Sequence, residues 1–517
     1  MAKRFVALYL SVVVMFSAVV CRLCYLMTEN AEAVTRLSSR YELVIGQNRG
    51  VIYDCSGRRL TNEQTEYYAA VPTDYEYISE LSKTAISESQ RSDFSKGLPV
   101  AIRVDSGFNS DKIVTVSVKK RYSSSTLATH IIGYLDSEKM GVSGIEQAYD
   151  DILSGEDITV SFVKNAKGKI LCGITPTVNI PQNKGAVTLT IDKNIQQITE
   201  SAAKKYLTSG AVVVLDNNSG KIRAICSLPS ISPLDIAKSL DDEAKPFVNR
   251  ALSAYNIGSV FKLCIASAAA ESGKTITHKC TGSVRVGDID FGCLKSHGEM
   301  NLETATAYSC NSYFIKLGER CGADSCFRMA KLMGFGAENK LCSGITSAGG
   351  SLNDINDLRR NPAALANFSF GQGQVMTTPL QVASMIACIA NGGKRYEPTL
   401  VESVTDKKGN VTKTAKKAPT VVMSKKSADT VKSCMKATMT YGTGKSAAPK
   451  GGTYGGKTAT AQTARYDKNG KEYLQAWFAG FVEYKNKSCS IVVLAENGVS
   501  GGVSAGPVFK EIADKIF

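Results

Sequence analysis

Gly258-Ser259-Val260-Phe261-Lys262-Leu263-Cys264-Ile265-Ala266 is apolar at nearly every position except for a serine and a lysine one helical turn apart. Ala268, Ala269 and Ala270 extend the apolar character. A helix that is apolar on almost all sides is a buried helix, and lysine is rarely buried without a partner or a purpose. Positions i and i+3 share a helix face. The stretch therefore sets an amine beside a hydroxyl at the start of a core helix. Burial disfavours the charged form of lysine and lowers its pKa, so a neutral amine can take the serine proton and leave a nucleophile. The helix N-terminus adds partial positive charge and free N–H groups that can receive an oxyanion. A lysine snorkelling out of the helix is the plainer reading, and the dense apolar surroundings oppose it.

Two further stretches complete a pattern. Ser309-Cys310-Asn311 follows downstream, and Lys457-Thr458-Ala459-Thr460 opens a strand after the pair Gly455-Gly456. S-x-x-K, S-D-N and K-T-G in this order are a motif set of serine acyl-transfer enzymes of the penicillin-recognising type; here the middle motif reads S-C-N and the last K-T-A. With 3 histidines in the chain, a histidine-dependent mechanism has few candidates. His130 belongs to the N-terminal part, His278 has no evident partner, and His297 reads as ordering a turn.

The formal net charge of +15 over 517 residues favours an anionic neighbour: a membrane surface, a cell-wall polymer or nucleic acid. No zinc-finger, P-loop or RNA-binding signature accompanies the charge, so no nucleic-acid partner is expected. The basic residues are scattered, which also fits a merely soluble basic surface. Lys3 and Arg4 precede an uncharged run from Phe5 to Cys21, and Leu23 to Met27 is apolar again beyond Arg22. This reads as an uncleaved signal anchor with a cytoplasmic N-terminus and an extracytoplasmic C-terminal bulk; a cleaved signal peptide is the alternative. The 15 cysteines are odd in number and form no repeated framework. Mostly buried free thiols and no metal are expected, with Cys280–Cys293 and Cys321–Cys326 as candidate pairs.

Along the chain, 28–47 reads as a polar helix and Arg49–Asp54 as a strand entering a turn at Ser56-Gly57. Short strands are expected over 65–130, a helix from Gly141 to about Gly155, and strands at 158–163 and 169–173. A Pro- and Asn-bearing link at 176–184 suggests a domain boundary. Beyond it the pattern predicts a strand at 187–191, a helix capped by Asp192, a hairpin over 210–227, the core helix at 259–272, several helices over 300–392 and a hairpin around Lys408-Gly409-Asn410. A helix capped by Ser424 precedes three strands (455–463, 474–483, 488–497) and a helix at 507–516. Helices against an antiparallel sheet make an α+β or α/β-type domain. The length prior is about three domains.

With these motifs in place, the chain resembles the class B penicillin-binding proteins, the peptidoglycan D,D-transpeptidases. Asn48-Arg49-Gly50-Val51-Ile52-Tyr53-Asp54 and Gly141–Glu146 resemble membrane-proximal motifs of that family. Asn249-Arg250-Ala251-Leu252, His297-Gly298, Phe370-Gly371-Gln372-Gly373, Thr378-Pro379-Leu380-Gln381 and Ala476-Trp477-Phe478-Ala479-Gly480 are family-like too. The resemblance implies an α+β fold: a penicillin-binding transpeptidase domain (181–517), its helices packed around a mainly antiparallel sheet, after an elongated N-terminal pedestal domain (28–180) and a single transmembrane helix (1–27).

The resemblance further implies Ser259 as the acylated nucleophile and Lys262 as its general base. Ser309 would relay protons and Asn311 hold the substrate amide. Lys457 and Thr458 would bind the terminal carboxylate of a D-Ala-D-Ala stem peptide. The N–H groups of Ser259 and Thr460 would form the oxyanion hole. Peptidoglycan stem peptides, β-lactams, the membrane and a membrane glycan polymerase are the implied partners, with no cofactor. A hydrolase with the same motifs, carboxypeptidase or β-lactamase, and a feebly active scaffold or β-lactam sensor are the alternatives. Ala459 stands where the family has glycine, Ile257 where it has proline, and Cys55 where arginine is common; Cys310 reads as a filler. The Ala459 methyl is expected to narrow the cleft, so that its removal would speed acylation.

Overall fold

The computed structural model describes residues 2–73, 87–108, 113–165, 167–466, 468–470 and 472–516. The chain forms two compact units. The first comprises Met1–Arg49, Asn62–Arg121 and Gly155–Asn183; the second takes Gly50–Thr61, Tyr122–Ser154 and Lys184–Phe517.

In the first unit a single helix runs from Ala2 to Ser38. Its stretch Arg4–Leu26, 23 residues, is long and apolar enough to cross a membrane and is not buried by protein; at 1.5 Å per residue it rises about 35 Å. The polar helix expected over 28–47 stops at Ser38, and Arg40–Gln47 is a strand instead. The alternation of Tyr41, Leu43 and Ile45 toward a buried cluster is the strand period that the helical reading missed. That strand pairs with Asp157–Val163, which pairs with Thr177–Asn179. A second three-stranded antiparallel sheet joins Gln64–Val71 to Val100–Val104 and Val114–Lys120. Ala70, Val116, Val118, Val160 and Phe162 form the core here. The strand expected at 169–173 is absent: Ile170 makes only an isolated bridge to Lys164. The part of the 65–130 region at 74–86 and 109–112 lies outside the described residues.

The second unit is built on a five-stranded antiparallel sheet of β1 (Gly210–Asp216), β2 (Ile222–Leu228), β3 (Thr453–Tyr466), β4 (Glu472–Tyr484) and β5 (Lys487–Glu496), in the spatial order β2-β1-β5-β4-β3. Both faces are buried. Val212, Val214, Phe478 and Val493 pack with Val508, Phe509 and Ile512 of the helix Gly506–Ile516 and with Ala202 and Ala203 of the helix Lys193–Tyr206. Residues of the opposite parity, Val213, Leu215, Trp477, Ala479 and Val492, face the cluster that contains the Lys262 helix, Pro379–Ala390 and Lys425–Thr440. One strand period thus supplies two cores. Asp192 caps its helix by accepting from Asn194 N and Ile195 N, and Ser424 caps its own by accepting from Ser427 N.

The expected turn after Asp54 forms, tied by a buried carboxylate. Asp54 accepts from Ser56 N, Arg58 N and Lys193 N. The Arg58 guanidinium bridges Asp54 at 2.6 Å and Asp192 at 2.9 Å. These donors hold the Asp54 carboxyl below its ordinary range although burial acts the other way.

Candidate active site

Ser259 lies in a 3-10 turn, Gly258–Phe261, that leads directly into the helix Lys262–Glu271. The turn is pinned from behind. Phe261 packs edge-on against Phe368 and Phe335, with ring centroids 4.9 and 5.5 Å away. Gly258 has φ +59° and donates its N–H to Gly371 O at 3.0 Å. Gly371 also has positive φ, and a Cβ there would stand 2.1 Å from Gly258 O. Only glycine lets these two backbones approach so closely. Upstream, Arg250 donates to Glu496 at 2.7 Å and to Ala244 O at 2.8 Å, fixing the segment that enters the turn.

Lys262 is fully buried. Its Nζ lies 2.8 Å from Ser309 O, 2.6 Å from Asn311 Oδ1 and 3.3 Å from Ser309 Oγ. The two carbonyl oxygens accept from Lys262 Nζ, and the Ser309 hydroxyl is its third partner. Burial pushes the Lys262 pKa down to about 7. Ser309 itself sits at φ 60°, the left-handed region that a serine seldom adopts. It is held there between the helix Leu302–Ala307 and the helix Asn311–Cys321. Asn311 Nδ2 donates to Gly292 O at 3.0 Å, which orients its amide.

Lys457, Thr458, Ala459 and Thr460 lie on β3, the edge strand of the sheet, opposite Ala479, Phe478, Trp477 and Ala476 of β4. Lys457 is fully buried and donates to Thr458 O at 2.9 Å. Burial, and then the neighbouring Lys262 charge, hold its pKa well below the ordinary lysine value. Trp477 Nε1 donates to Asn256 O at 2.9 Å, tying β4 to the approach to Ser259. The Ala459 side chain is only 3% exposed. A Cβ on Gly258 would stand 3.5 Å from Ala459 Cβ and 3.1 Å from Ala461 Cβ, so both methyls form the floor of the Ser259 turn.

A cleft of about 710 Å³ gathers Ser259, Ser309, Asn311, Thr458, Ala459 and Thr460 along its walls, while Lys262 and Lys457 lie buried behind it. Every residue singled out in the three sequence motifs is thus at the cleft or directly beneath it. The same cleft is also lined by residues outside these three motifs. Thr443 pairs its hydroxyl with that of Thr458 at 2.7 Å; its only signal was a threonine between two glycines after a helix. Asn367, Phe370 and Gln372 line the side toward Gly371, and Asp290 to Gly292 with Leu294 the side toward Asn311.

All the cysteines are free thiols, so neither candidate disulfide pair is bridged. Cys310 is more than a filler. Its Sγ caps the Asn311 helix by accepting from Tyr313 N at 3.4 Å, and it lies 3.8 Å from Cys293 Sγ. Cys293 and Cys280 each place Sγ 3.5 Å from His297 Nδ1. His297 therefore does more than order a turn: it joins Cys280 to Cys293, which in turn meets Cys310 behind Asn311.

The comparisons with known proteins agree with this architecture. A family model described as "Penicillin binding protein transpeptidase domain" matches residues 210–514. Stage V sporulation protein D of Bacillus subtilis is 28% identical over a match that takes in 99% of this chain and 84% of that protein. Peptidoglycan D,D-transpeptidase PbpA of Mycobacterium tuberculosis is 30% identical over 72% of this chain and 79% of its own. Among solved structures, penicillin-binding protein 3 of Mycobacterium tuberculosis, complexed with aztreonam, superposes with a TM-score of 0.66 at 24% identity, covering 91% of this chain and 96% of that one.

Proposed function

The chain belongs to the penicillin-binding protein transpeptidase family, and we propose that it is a membrane-anchored peptidoglycan D,D-transpeptidase working through a serine acyl-enzyme at Ser259. The observation that carries this reading is the hydrogen-bonded contact of the buried Lys262 amine with Ser309 and Asn311, one turn of helix from a half-buried serine at the cleft.

In the acylation step Ser259 Oγ attacks the carbonyl carbon of the penultimate D-Ala of a stem peptide. Its proton passes to the neutral Lys262 Nζ as the C–O bond forms. The developing oxyanion is received by the N–H groups of Ser259 and Thr460. Ser309 Oγ, within hydrogen-bond reach of Lys262 Nζ, hands the proton on to the departing amine. The C–N bond breaks, and the terminal D-Ala leaves. An amine of a second stem then attacks the ester, the new amide forms, and Ser259 regains its proton. Asn311 holds the substrate amide, while Thr458 with Lys457 receives the terminal carboxylate; the Thr443–Thr458 hydroxyl pair fixes that end of the cleft. A β-lactam would acylate the same serine, its ring amide replacing the D-Ala–D-Ala bond.

The helix Arg4–Leu26 supplies the anchor. Lys3 and Arg4 place its N-terminus in the cytoplasm by the positive-inside rule, with the transpeptidase domain (181–517) outside. The 28–180 region serves as the pedestal through which a membrane glycan polymerase delivers uncross-linked strands.

The test is covalent labelling with a fluorescent penicillin, followed by presentation of an amine acceptor to enzyme acylated by a stem-peptide donor. Labelling that disappears in Ser259→Ala, with cross-linked product from the wild-type chain, is the expected result. A folded wild-type chain that never labels would overturn the acyl-enzyme. Turnover to water alone would replace transfer by hydrolysis.

A further inference from the structure

Cys280, Cys293, His297 and Cys310 point one ligand atom each into the same small volume, all within 4.8 Å of one another. They come from separate places in the sequence. Cys280 ends the strand His278–Cys280. Cys293 follows the strand Ile289–Gly292, and His297 precedes Gly298–Met300. Cys310 caps the Asn311 helix. Only Cys293 and His297 are close in sequence, four residues apart.

The spacings discriminate among the things such a cluster could be. A disulfide needs sulfurs about 2.05 Å apart, and Cys293 Sγ lies 3.8 Å from Cys310 Sγ. A thiol–imidazole hydrogen-bond cluster would leave His297 Nδ1, which carries at most one proton, facing two sulfurs at 3.5 Å at once. A tetrahedral zinc site has metal–sulfur bonds of about 2.3 Å and metal–nitrogen bonds of about 2.0–2.1 Å. Its edges are then about 3.8 Å between sulfurs and about 3.5–3.6 Å between sulfur and nitrogen. Three of the six edges, at 3.8, 3.5 and 3.5 Å, have those lengths, and the other three lie within 4.8 Å. Three thiolates and one imidazole are a closed structural zinc set. Backbone N–H groups already point at the sulfurs, Asn311 N at Cys293 Sγ (3.2 Å) and Tyr313 N at Cys310 Sγ (3.4 Å). Such N–H donors are the outer-shell bonds that steady thiolate ligands.

We propose that Cys280, Cys293, His297 and Cys310 bind one structural zinc ion that braces the Ser309–Asn311 wall of the cleft. Binding releases three thiol protons and forms three Zn–S bonds and one Zn–N bond to His297 Nδ1. The ion does not touch the substrate. It acts by position: Cys310 stands between Ser309 and Asn311, and Cys293 adjoins Gly292, whose carbonyl holds the Asn311 amide. It also clamps Asp290, Phe291, Gly292 and Leu294, which line the cleft, to that helix.

The test uses the full chain, purified in detergent without chelator. Elemental analysis is expected to find one zinc ion per chain. After chelator stripping, cobalt(II) titration is expected to give one equivalent of tetrahedral thiolate spectrum, visible ligand-field bands with sulfur-to-cobalt charge transfer, displaced by added zinc. Cys280→Ser, outside the Ser309–Asn311 motif, is expected to lose both signals; Cys172→Ser, distant in sequence, is expected to keep them. Stripping is also expected to lower the melting temperature of the wild-type chain and zinc to restore it, a readout that stands even if Cys280→Ser fails to fold. No tightly held metal and no thiolate–cobalt spectrum in the wild-type chain would overturn the proposal. So would a native Cys280–Cys293 disulfide found by peptide mapping, or a folded Cys280→Ser that keeps the full spectrum.

Discussion

Lys262 Nζ stands 2.6 Å from Asn311 Oδ1, so the first residue of one core helix and the first residue of its neighbour form a single hydrogen-bonded unit. The proton affinity of the amine is therefore set partly by what occupies position 311. The amide carries no charge, and burial holds Lys262 near pKa 7. A carboxylate in its place would favour the ammonium. Asn311→Asp is expected to move the acidic limb of the penicillin acylation rate from an inflection near pH 7 upward by about one unit or more. Stopped-flow acylation across pH 5.5–10 reads this; an unmoved limb would mean that another group controls it.

The same burial makes Lys262 a liability for folding. Its folded pKa of about 7 lies below the value of 10.5 expected when it is solvated, so between these values the unfolded chain binds the extra proton. Stability contributed by this group is present in full above pH 10.5, declines as pH falls toward 7, and is flat below that. Lys262→Met, apolar and of similar length, is expected to raise stability at pH 7 by about 1–3 kcal/mol while abolishing penicillin labelling. A lowered melting temperature would show that the bonds to Ser309 and Asn311 outweigh desolvation.

Gly371 never touches the cleft chemistry, yet a Cβ there would meet Gly258 O at 2.1 Å. Gly371→Ala also forces an alanine to positive φ, which costs about 1–3 kcal/mol as local strain. The turn bearing Ser259 has to give way. Acylation is expected to fall by at least about tenfold, the equivalent of 1.4 kcal/mol in barrier, with a lower melting temperature. Retained acylation would mean the turn has slack.

Ala459 invites a different expectation from the one its motif suggests. Its methyl packs against the Gly258 turn and the residue is 3% exposed, so removing it opens the floor beneath Ser259. Loss of one buried methyl and added backbone freedom together destabilise by about 1–2 kcal/mol. Ala459→Gly is expected to lower the melting temperature and leave acylation within about threefold, less than 0.7 kcal/mol in barrier. Faster acylation with unchanged stability would restore the narrowed-cleft reading.

The parts of this fold that sequence made legible are those with a period or a cap. The apolar runs through 210–227 and 474–497, broken by turn residues, predict strands of the central sheet, and Asp192 and Ser424 mark helix starts where they occur. The Ser259, Ser309 and Lys457 motifs announce residues that meet only in three dimensions. What was not legible depends on distant partners. Arg40–Gln47 looked helical because its polar residues hid a two-residue period that shows only against the 157–163 strand. Thr443 carries no motif and acquires a role through a neighbour at position 458. The thiol–imidazole cluster combines one short interval with two long ones, so no spacing rule gathers it; the hairpin 283–292 and the Asn311 helix do.

The strand order of the central sheet also dictates when the molecule can fold. β1 (Gly210–Asp216) is flanked by β2 and by β5 (Lys487–Glu496). During synthesis the hairpin of β1 and β2 must wait, with one interior edge unpaired, until residues 487–496 have emerged. Long-range pairing of this kind is slow and exposes sticky strand edges. The Ser259 turn, packed over Ala459 and Ala461 of β3, gains its full support only when that sheet is complete, so the geometry at Ser259 is set late in folding.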